Sequence, residues 1–343
     1  MLSSKNLEHL NSVKTYPLFL FFFLVQVYNT YAQVPRKWSF TQSKMGSPFS
    51  IITYSNDSAK VERSISRAYL LVDSLNSVYS DYDLRSELSV LSQRGESPKV
   101  SNALWDILEK SQYAFSKSNG TFDISIGPLV KLWRKARKLK QLPSDTAIRN
   151  AQQRVGFKFI KMNPTTHEVK LLRNNMQLDL GGIAKGYIAQ KVVNFLKNEG
   201  LVSSLVDAGG DLAMGQAPPS KKAWSVGVNI PSSEELLPRY LFLQNAAVAT
   251  SGDMYQYVEI DGKHYSHIVN PKTGLGLTHQ RNVTVIAPDG ATADWLATAC
   301  SVLPVKKALK LCDSFPNTGL LIAEKKGKMI LKWQNSYFEK MME

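Results

Sequence analysis

The sequence predicts a single α+β domain of mixed, largely antiparallel strands packed with helices, filling residues 33–343 behind an N-terminal leader. Three observations predict it. Apolar residues recur at helical spacing in some segments and at strand spacing in others, turn signals separate neighbouring strands at hairpin distance, and no internal repeat or low-complexity linker divides the chain. Hairpin-like connections argue against a doubly wound parallel sheet. The 343 residues are 43% hydrophobic and 10% aromatic, enough to bury a sizeable core and to exclude a disordered chain.

In the leader, Lys5 and Lys14 precede an uncharged apolar run from Tyr16 to Tyr28, and Thr30-Tyr31-Ala32 offers a small-x-small cleavage site. A run of about 13 residues suits a signal-peptide core and falls short of the ~20 needed to span a bilayer. Residues 1–32 are expected to be a signal peptide, or a retained signal anchor, and the chain to be exported to the periplasm or the outer face of the cytoplasmic membrane.

Trp38 to Tyr54 alternates in strand fashion, and Asn56-Asp57-Ser58 then offers N-cap residues for a helix whose apolar face is Val61, Ile65, Ala68, Val72 and Leu75. A second helix is expected over Asn102–Lys117, stopping at Asn119-Gly120, and a third from Pro143-Ser144-Asp145 to about Val155. Short strands follow at Phe157–Lys161, Glu168–Leu172 and Gln177–Leu180, broken by Asn163-Pro164 and Asn174-Asn175 turns. A helix over Ala184–Asn198 turns Ile188, Val192 and Phe195 inward and stops at Gly200. Strand, loop and helix alternate to the C-terminus.

The formal net charge is +14, densest in Lys131-Leu-Trp-Arg-Lys-Ala-Arg-Lys-Leu-Lys140. No helix-turn-helix, zinc or RNA-recognition pattern accompanies it, so nucleic acid is not the expected partner. A solvated face, or a field drawing in a polyanionic dinucleotide or an anionic membrane surface, accounts for it better. Two cysteines, Cys300 and Cys312, make no disulfide framework, and Cys300 lies in an apolar run that reads as buried and inert.

Four segments carry chemistry. Leu178-Asp179-Leu180-Gly181-Gly182-Ile183-Ala184-Lys185-Gly186 puts a carboxylate before a glycine turn and a lysine in the first helical turn, an arrangement that suits phosphate or serves as a tight corner. Val206-Asp207-Ala208-Gly209-Gly210-Asp211 is a second acid-flanked glycine turn, equally readable as a bulge. Ala249-Thr250-Ser251-Gly252-Asp253 and Tyr265-Ser266-His267-Ile268-Val269-Asn270-Pro271-Lys272-Thr273-Gly274 gather hydroxyls, a carboxylate and a histidine between apolar strands. His267 is the histidine whose neighbours are all potential ligand groups. In Ala293-Asp294-Trp295-Leu296-Ala297-Thr298, Asp294 and Thr298 share a helix face; their oxygens suit a hard ion such as Mg²⁺, or merely a helix dipole and a back-bonded turn.

In this order the segments resemble the ApbE family of FAD:protein FMN transferases. Thr121-Phe122-Asp123 with Gly127-Pro128-Leu129 is similar to its G-x-F-D…G-P-L segment, Tyr82 with Ser86-Glu87-Leu88 to its S-T-Y-x-x-x-S-E-L segment, and Met45-Gly46 to its M-G start. The resemblance implies that FAD, as substrate, contacts Met45, Tyr82, Thr121, Phe122, Asp123, Asp179, Lys185 and Ile268. It implies Mg²⁺ on the Gly182 carbonyl, Asp294, Thr298 and the Ala297 carbonyl. It makes His267 the candidate for assisting transfer, with Asp253 or Asp179 as carboxylate alternatives. Asp81 stands where the family often has threonine, and Gln190 where it usually has aspartate. The implied reaction is Mg²⁺-dependent transfer of FMN from FAD to a threonine of an acceptor protein, a subunit of a membrane redox complex, with release of AMP. An exported FAD pyrophosphatase and a non-catalytic flavin carrier are the rival readings.

Overall fold

Strands β1 (Lys37–Lys44) and β2 (Ser47–Tyr54) form an antiparallel hairpin whose turn is Met45-Gly46, both at positive φ. The alternating stretch is thus two strands rather than one. The computed structural model describes residues 34–228, 239–252 and 257–342, so the leader and Asp253 lie outside the described residues. No helix among the described residues is long and apolar enough to cross a membrane.

Helix α1 (Ser58–Tyr79) starts where the Asp57 carboxylate accepts the Lys60 N–H at 2.8 Å. Such a cap is worth about 1 kcal/mol. Helix α2 (Glu87–Arg94) and strand β3 (Glu96–Ser97) lead to α3 (Asn102–Lys117), capped by Ser101. After a 3₁₀ turn at Ile124–Ile126 come α4 (Gly127–Leu139) and α5 (Asp145–Gln152), the latter ending short of Val155. A second 3₁₀ turn at Phe157–Phe159 occupies most of an expected strand, and β4 (Ile160–Asn163) and β5 (Glu168–Leu171) pair there, with β3 on the other edge of β5.

Gln177–Leu180 is not a strand. Its amides find a side chain and a turn instead of a ladder: the Leu178 N–H donates to Ser92 Oγ and the Asp179 N–H to the Ile124 carbonyl. Helix α6 (Ala184–Asn198) matches its expected bounds. Strands β6 (Ser204–Ala208), β7 (Leu212–Met214), β8 (Trp224–Val228), β9 (Arg239–Leu243), β10 (Ala247–Gly252), β11 (Tyr257–Ile260), β12 (Lys263–Ser266) and β13 (Gln280–Ala287) follow. The chain closes with α7 (Gly290–Val302), α8 (Val305–Asp313), β14 (Gly319–Lys326), β15 (Met329–Gln334) and α9 (Ser336–Met341).

Eight strands form one sheet in the order β1-β2-β6-β7-β10-β13-β14-β15, with every neighbouring pair antiparallel. Alternation divides its residues between two faces. Val206, Ala247, Ala249, Val285, Leu320 and Ile322 join the main core under α1, α3, α6, α7 and α8. Leu205, Val248, Ile286 and Leu321 point the other way, into a second cluster covered by the β8–β9 hairpin and Phe338 of α9. With both faces covered, residues 283–287 of β13 and 319–323 of β14 are buried on both sides, with Thr284 as their one polar side chain. A third cluster joins Trp133 of α4 and Ile148 of α5 to Val258, Ile260 and Tyr265 of the β11–β12 hairpin. Cys300 and Cys312 are both buried, as the apolar run foretold for Cys300, with free thiols 3.6 Å apart.

Candidate functional site

The site grows from the crossing of α6 and α7. A Cβ on Gly186 would meet the Gly290 carbonyl oxygen at 2.1 Å, and one on Gly290 would meet that of Gly186 at 2.0 Å. Only glycines allow this approach, and it brings the start of α6 onto Asp294 of α7. The buried Asp294 carboxylate accepts the Gly186 N–H at 3.0 Å. One turn further along α7, Thr298 faces Gly182, where a Cβ would lie 2.8 Å from the threonine Oγ1 and 3.3 Å from the Phe122 ring.

Lys185 reaches the other way, to the buried Asp211 at 2.8 Å. Asp211 follows the Gly209-Gly210 turn between β6 and β7 and also accepts the Thr250 N–H of β10. Burial, then the charge of Asp211, push the Asp294 carboxyl well above the usual carboxylate range, against Lys185 and the amides of Gly186 and Lys185. Burial raises Asp211 as well, offset by Lys185. Burial works against the Lys185 charge, yet Asp211 and Asp294 hold its pKa above the ordinary value. Two buried carboxylates thus share one ammonium, and a cation is what such a cluster lacks.

The oxygens present suit Mg²⁺, which takes few protein ligands and leaves positions for substrate phosphates. Among the described residues, no group of three or more His, Cys, Asp or Glu side chains could hold a metal. Any ion would rest on Asp294 with the neutral oxygens of Thr298 and Gly182. The Ala297 carbonyl already accepts the Ser301 hydroxyl at 2.9 Å and is the weakest of the four expected ligands.

The turn Asp179–Gly182 connects this corner to a second one. Asp179 Oδ1 accepts the Gly181 N–H at 2.8 Å, while Asp179 Oδ2 and Asp81 Oδ2 lie 3.3 and 2.5 Å from the two Nη atoms of Arg134. The same guanidinium sits 4.1 Å from the centroid of Tyr82, whose ring is 76% exposed in the loop between α1 and α2. Burial, then the charge of Asp81, raise the Asp179 pKa to about 6 against Arg134 and the Gly181 amide.

The remaining expected contacts are spread around these corners. Met45 is half-buried in the β1–β2 turn, beside the Gly209 turn because Phe49 pairs with Ala208. Thr121 and Phe122 are buried, and the Phe122 ring packs on Trp295. Asp123 is buried too, but its carboxylate is taken by the Ser125 N–H and hydroxyl and by the Phe157 N–H, so it anchors the local turns. His267 is half-buried in the bend after β12, and Ile268 beside it is buried. That loop is pinned to α4 by the Trp133 indole, which donates to the Gly274 carbonyl at 2.8 Å.

Both departures from the family pattern have partners. Asp81 binds Arg134, and the Gln190 amide oxygen accepts the Gly290 N–H at the start of α7 at 3.1 Å, an acceptor role that needs no charge. Sequence reasoning missed Arg134 and Arg137 as site residues. The signal was there in their i, i+3 spacing beside Trp133 within a run read only as bulk charge.

The sequence profile of the ApbE family matches residues 45–322. An FAD:protein FMN transferase of Treponema pallidum is 32% identical over 304 residues, covering 83% of this chain and 84% of the relative. One from Klebsiella pneumoniae is 30% identical over 277 residues, 79% of this chain and 84% of its own. In fold the chain is similar to the flavin transferase ApbE from Vibrio cholerae, with a TM-score of 0.81 at 24% identity over 90% of this chain and 99% of that one. The glycine crossing, the buried acid pair and the α+β architecture thus occur in a chain that belongs to the ApbE family.

Proposed function

We propose that this chain transfers the FMN half of FAD to a threonine hydroxyl of an acceptor protein and releases AMP, with Mg²⁺ at the pyrophosphate. The observation that carries the reading is the buried pair Asp211 and Asp294 sharing Lys185 beside the Thr298 hydroxyl, a cluster short of positive charge and placed at a glycine turn open to phosphate. The names of the relatives support the same activity.

In the reaction, the threonine oxygen forms a bond to the FMN phosphorus while that phosphorus loses its bond to the bridging pyrophosphate oxygen. AMP leaves with that oxygen. Asp294, Thr298 and Gly182 would hold the metal, which when bound neutralises charge on the pyrophosphate oxygens. Lys185, aimed by Asp211, adds a fixed charge toward the phosphates. The hydroxyl proton must pass to a base, because a neutral hydroxyl is a poor nucleophile. His267 has that role in this reading, with Asp253 or Asp179 as the carboxylate alternatives. The leader supports an exported chain, and the acceptor is then an extracytoplasmic subunit of a membrane redox complex.

The test is incubation of the purified protein with FAD, Mg²⁺ and an acceptor domain carrying a candidate threonine, following AMP release and covalent flavin. Acceptor-linked flavin that disappears with EDTA and in Asp294→Ala is the expected result. Release of FMN and AMP without labelling would make the protein a pyrophosphatase, and tight FAD binding without turnover would make it a carrier.

A further inference from the structure

Helix α4 presents two arginines one turn apart, and the fold treats them differently. Arg134 has both carboxylates of its neighbourhood, Asp81 and Asp179. Arg137 has neither: its Nη1 is buried and has no hydrogen-bond partner among the described residues. The lysines of the same run, Lys131, Lys135, Lys138 and Lys140, are exposed and solvated, so Arg137 is not simply one more member of a charged surface. Burial and then the charge of Arg134 both work against its protonated form, and Tyr82 is close enough to count among its electrostatic partners.

A guanidinium nitrogen withdrawn from water without an acceptor is costly, and a second guanidinium alongside adds repulsion. A group kept in that state is poised for an acceptor that arrives from outside. The open ring of Tyr82, with Arg134 against it at 4.1 Å, marks where a flat ligand would lie. FAD brings two such rings, each with hydrogen-bond acceptors along an edge.

We propose that Arg137 is a substrate-binding residue, whose Nη1, buried and without an acceptor among the described residues, swings out to donate to the acceptor edge of the planar heterocycle lying against Tyr82. The role rests on the FAD reading above. Arg134, held by its two carboxylates, keeps the Tyr82 ring in place, and Arg137 supplies a donor that no described residue accepts. The planar fork matters as well as the charge, since an ammonium on a flexible stem is less well preorganised for such an edge.

The experiment is calorimetric titration of the full chain and of Arg137→Met and Arg137→Lys with FAD, FMN and ADP, alongside the melting temperature without ligand. Arg137→Met is expected to bind FAD about tenfold more weakly, while its ligand-free melting temperature stays level or rises because an unpaired buried charge is gone. A loss shared by FMN assigns Arg137 to the isoalloxazine, and one shared by ADP to the adenine. Arg137→Lys keeps the charge without the fork, should recover only part of the affinity, and serves as the test if the methionine variant folds poorly. Equal FAD affinity in wild type and variants would overturn the role of Arg137 and leave the transferase reading standing. Failure of the wild type to bind FAD would overturn both.

Discussion

At one end of the Asp179–Gly182 turn, Asp211 and Asp294 are buried with a single lysine between them; at the other, Arg134 holds Asp81 and Asp179 while Arg137 is left over. The first corner sets two carboxylates against one ammonium, whereas the second balances two carboxylates with two guanidiniums but gives both carboxylates to Arg134. They are also built differently. The acidic corner depends on backbone contact between two glycines of crossing helices, which permits almost no adjustment. The basic corner consists of long side chains reaching an exposed loop. The difference teaches that the two ends suit separate tasks in the proposed reaction: a close-packed cradle for phosphate and metal, and long side chains beside an exposed ring for a flat group.

The sharpest way to break this comparison is Asp294→Ala, which removes the carboxylate proposed to hold the metal and is expected to lower transfer by about 10³-fold or more, read as covalent flavin on the acceptor. The melting temperature without ligand should fall only modestly, since the carboxylate was costly to bury but its loss leaves the Gly186 N–H without an acceptor. A large fall would mean that the acidic corner is structural.

Gly186→Ala probes the rigidity of the crossing. Its Cβ would meet backbone at 2.1 Å, and urea denaturation should show a loss of about 3 kcal/mol, the upper part of the usual range for overpacking. A loss near zero would show that the helices can separate.

Arg134→Ala should cost less, about 2 kcal/mol of stability, because it leaves the largely buried Asp81 and Asp179 without their cation while protonation of Asp179 relieves part of the loss. Its larger expected effect is on the ring end, where the KM for FAD rises and kcat holds, as expected when binding common to ground and transition states is lost. A fall in kcat with unchanged KM would place Arg134 with the chemistry.

A further expected effect concerns pH. Folding raises the Asp179 pKa from 3.8 to about 6, so the folded state binds more protons than the unfolded state between those values. The contribution of this group to stability is therefore present below pH ~4 and lost as pH rises through about 6. Asp179→Asn lacks that loss, and denaturation across this range should show the variant gaining on the wild type as pH rises. A flat difference would mean that Arg134 fully compensates the charge.

Much of this was legible in the chain. The helices at Asn102–Lys117 and Ala184–Asn198 carry their own stop signals and match their expected bounds. Asp294, Thr298, Gly182 and Lys185 were picked out through the resemblance to the ApbE family, since their segments taken alone read equally well as a tight corner or an ordinary helix turn. Gln177–Leu180 was misread as a strand because an apolar run shows what is buried and not what its amides will bond. Arg134 and Arg137 were hidden within a basic run, since charge spacing alone does not tell a solvated lysine from a buried guanidinium.

By itself the sequence determined the local elements and the chemical types at the glycine turns, because periodicity, caps and turn residues act over a few positions along the chain. Only the tertiary structure decided that Lys185 would belong to Asp211, that Gly186 would press on Gly290, and that Arg134 rather than Arg137 would take Asp81 and Asp179. These pairings join residues far apart in sequence, and burial and distance, which a linear pattern does not contain, set the partner of each charge.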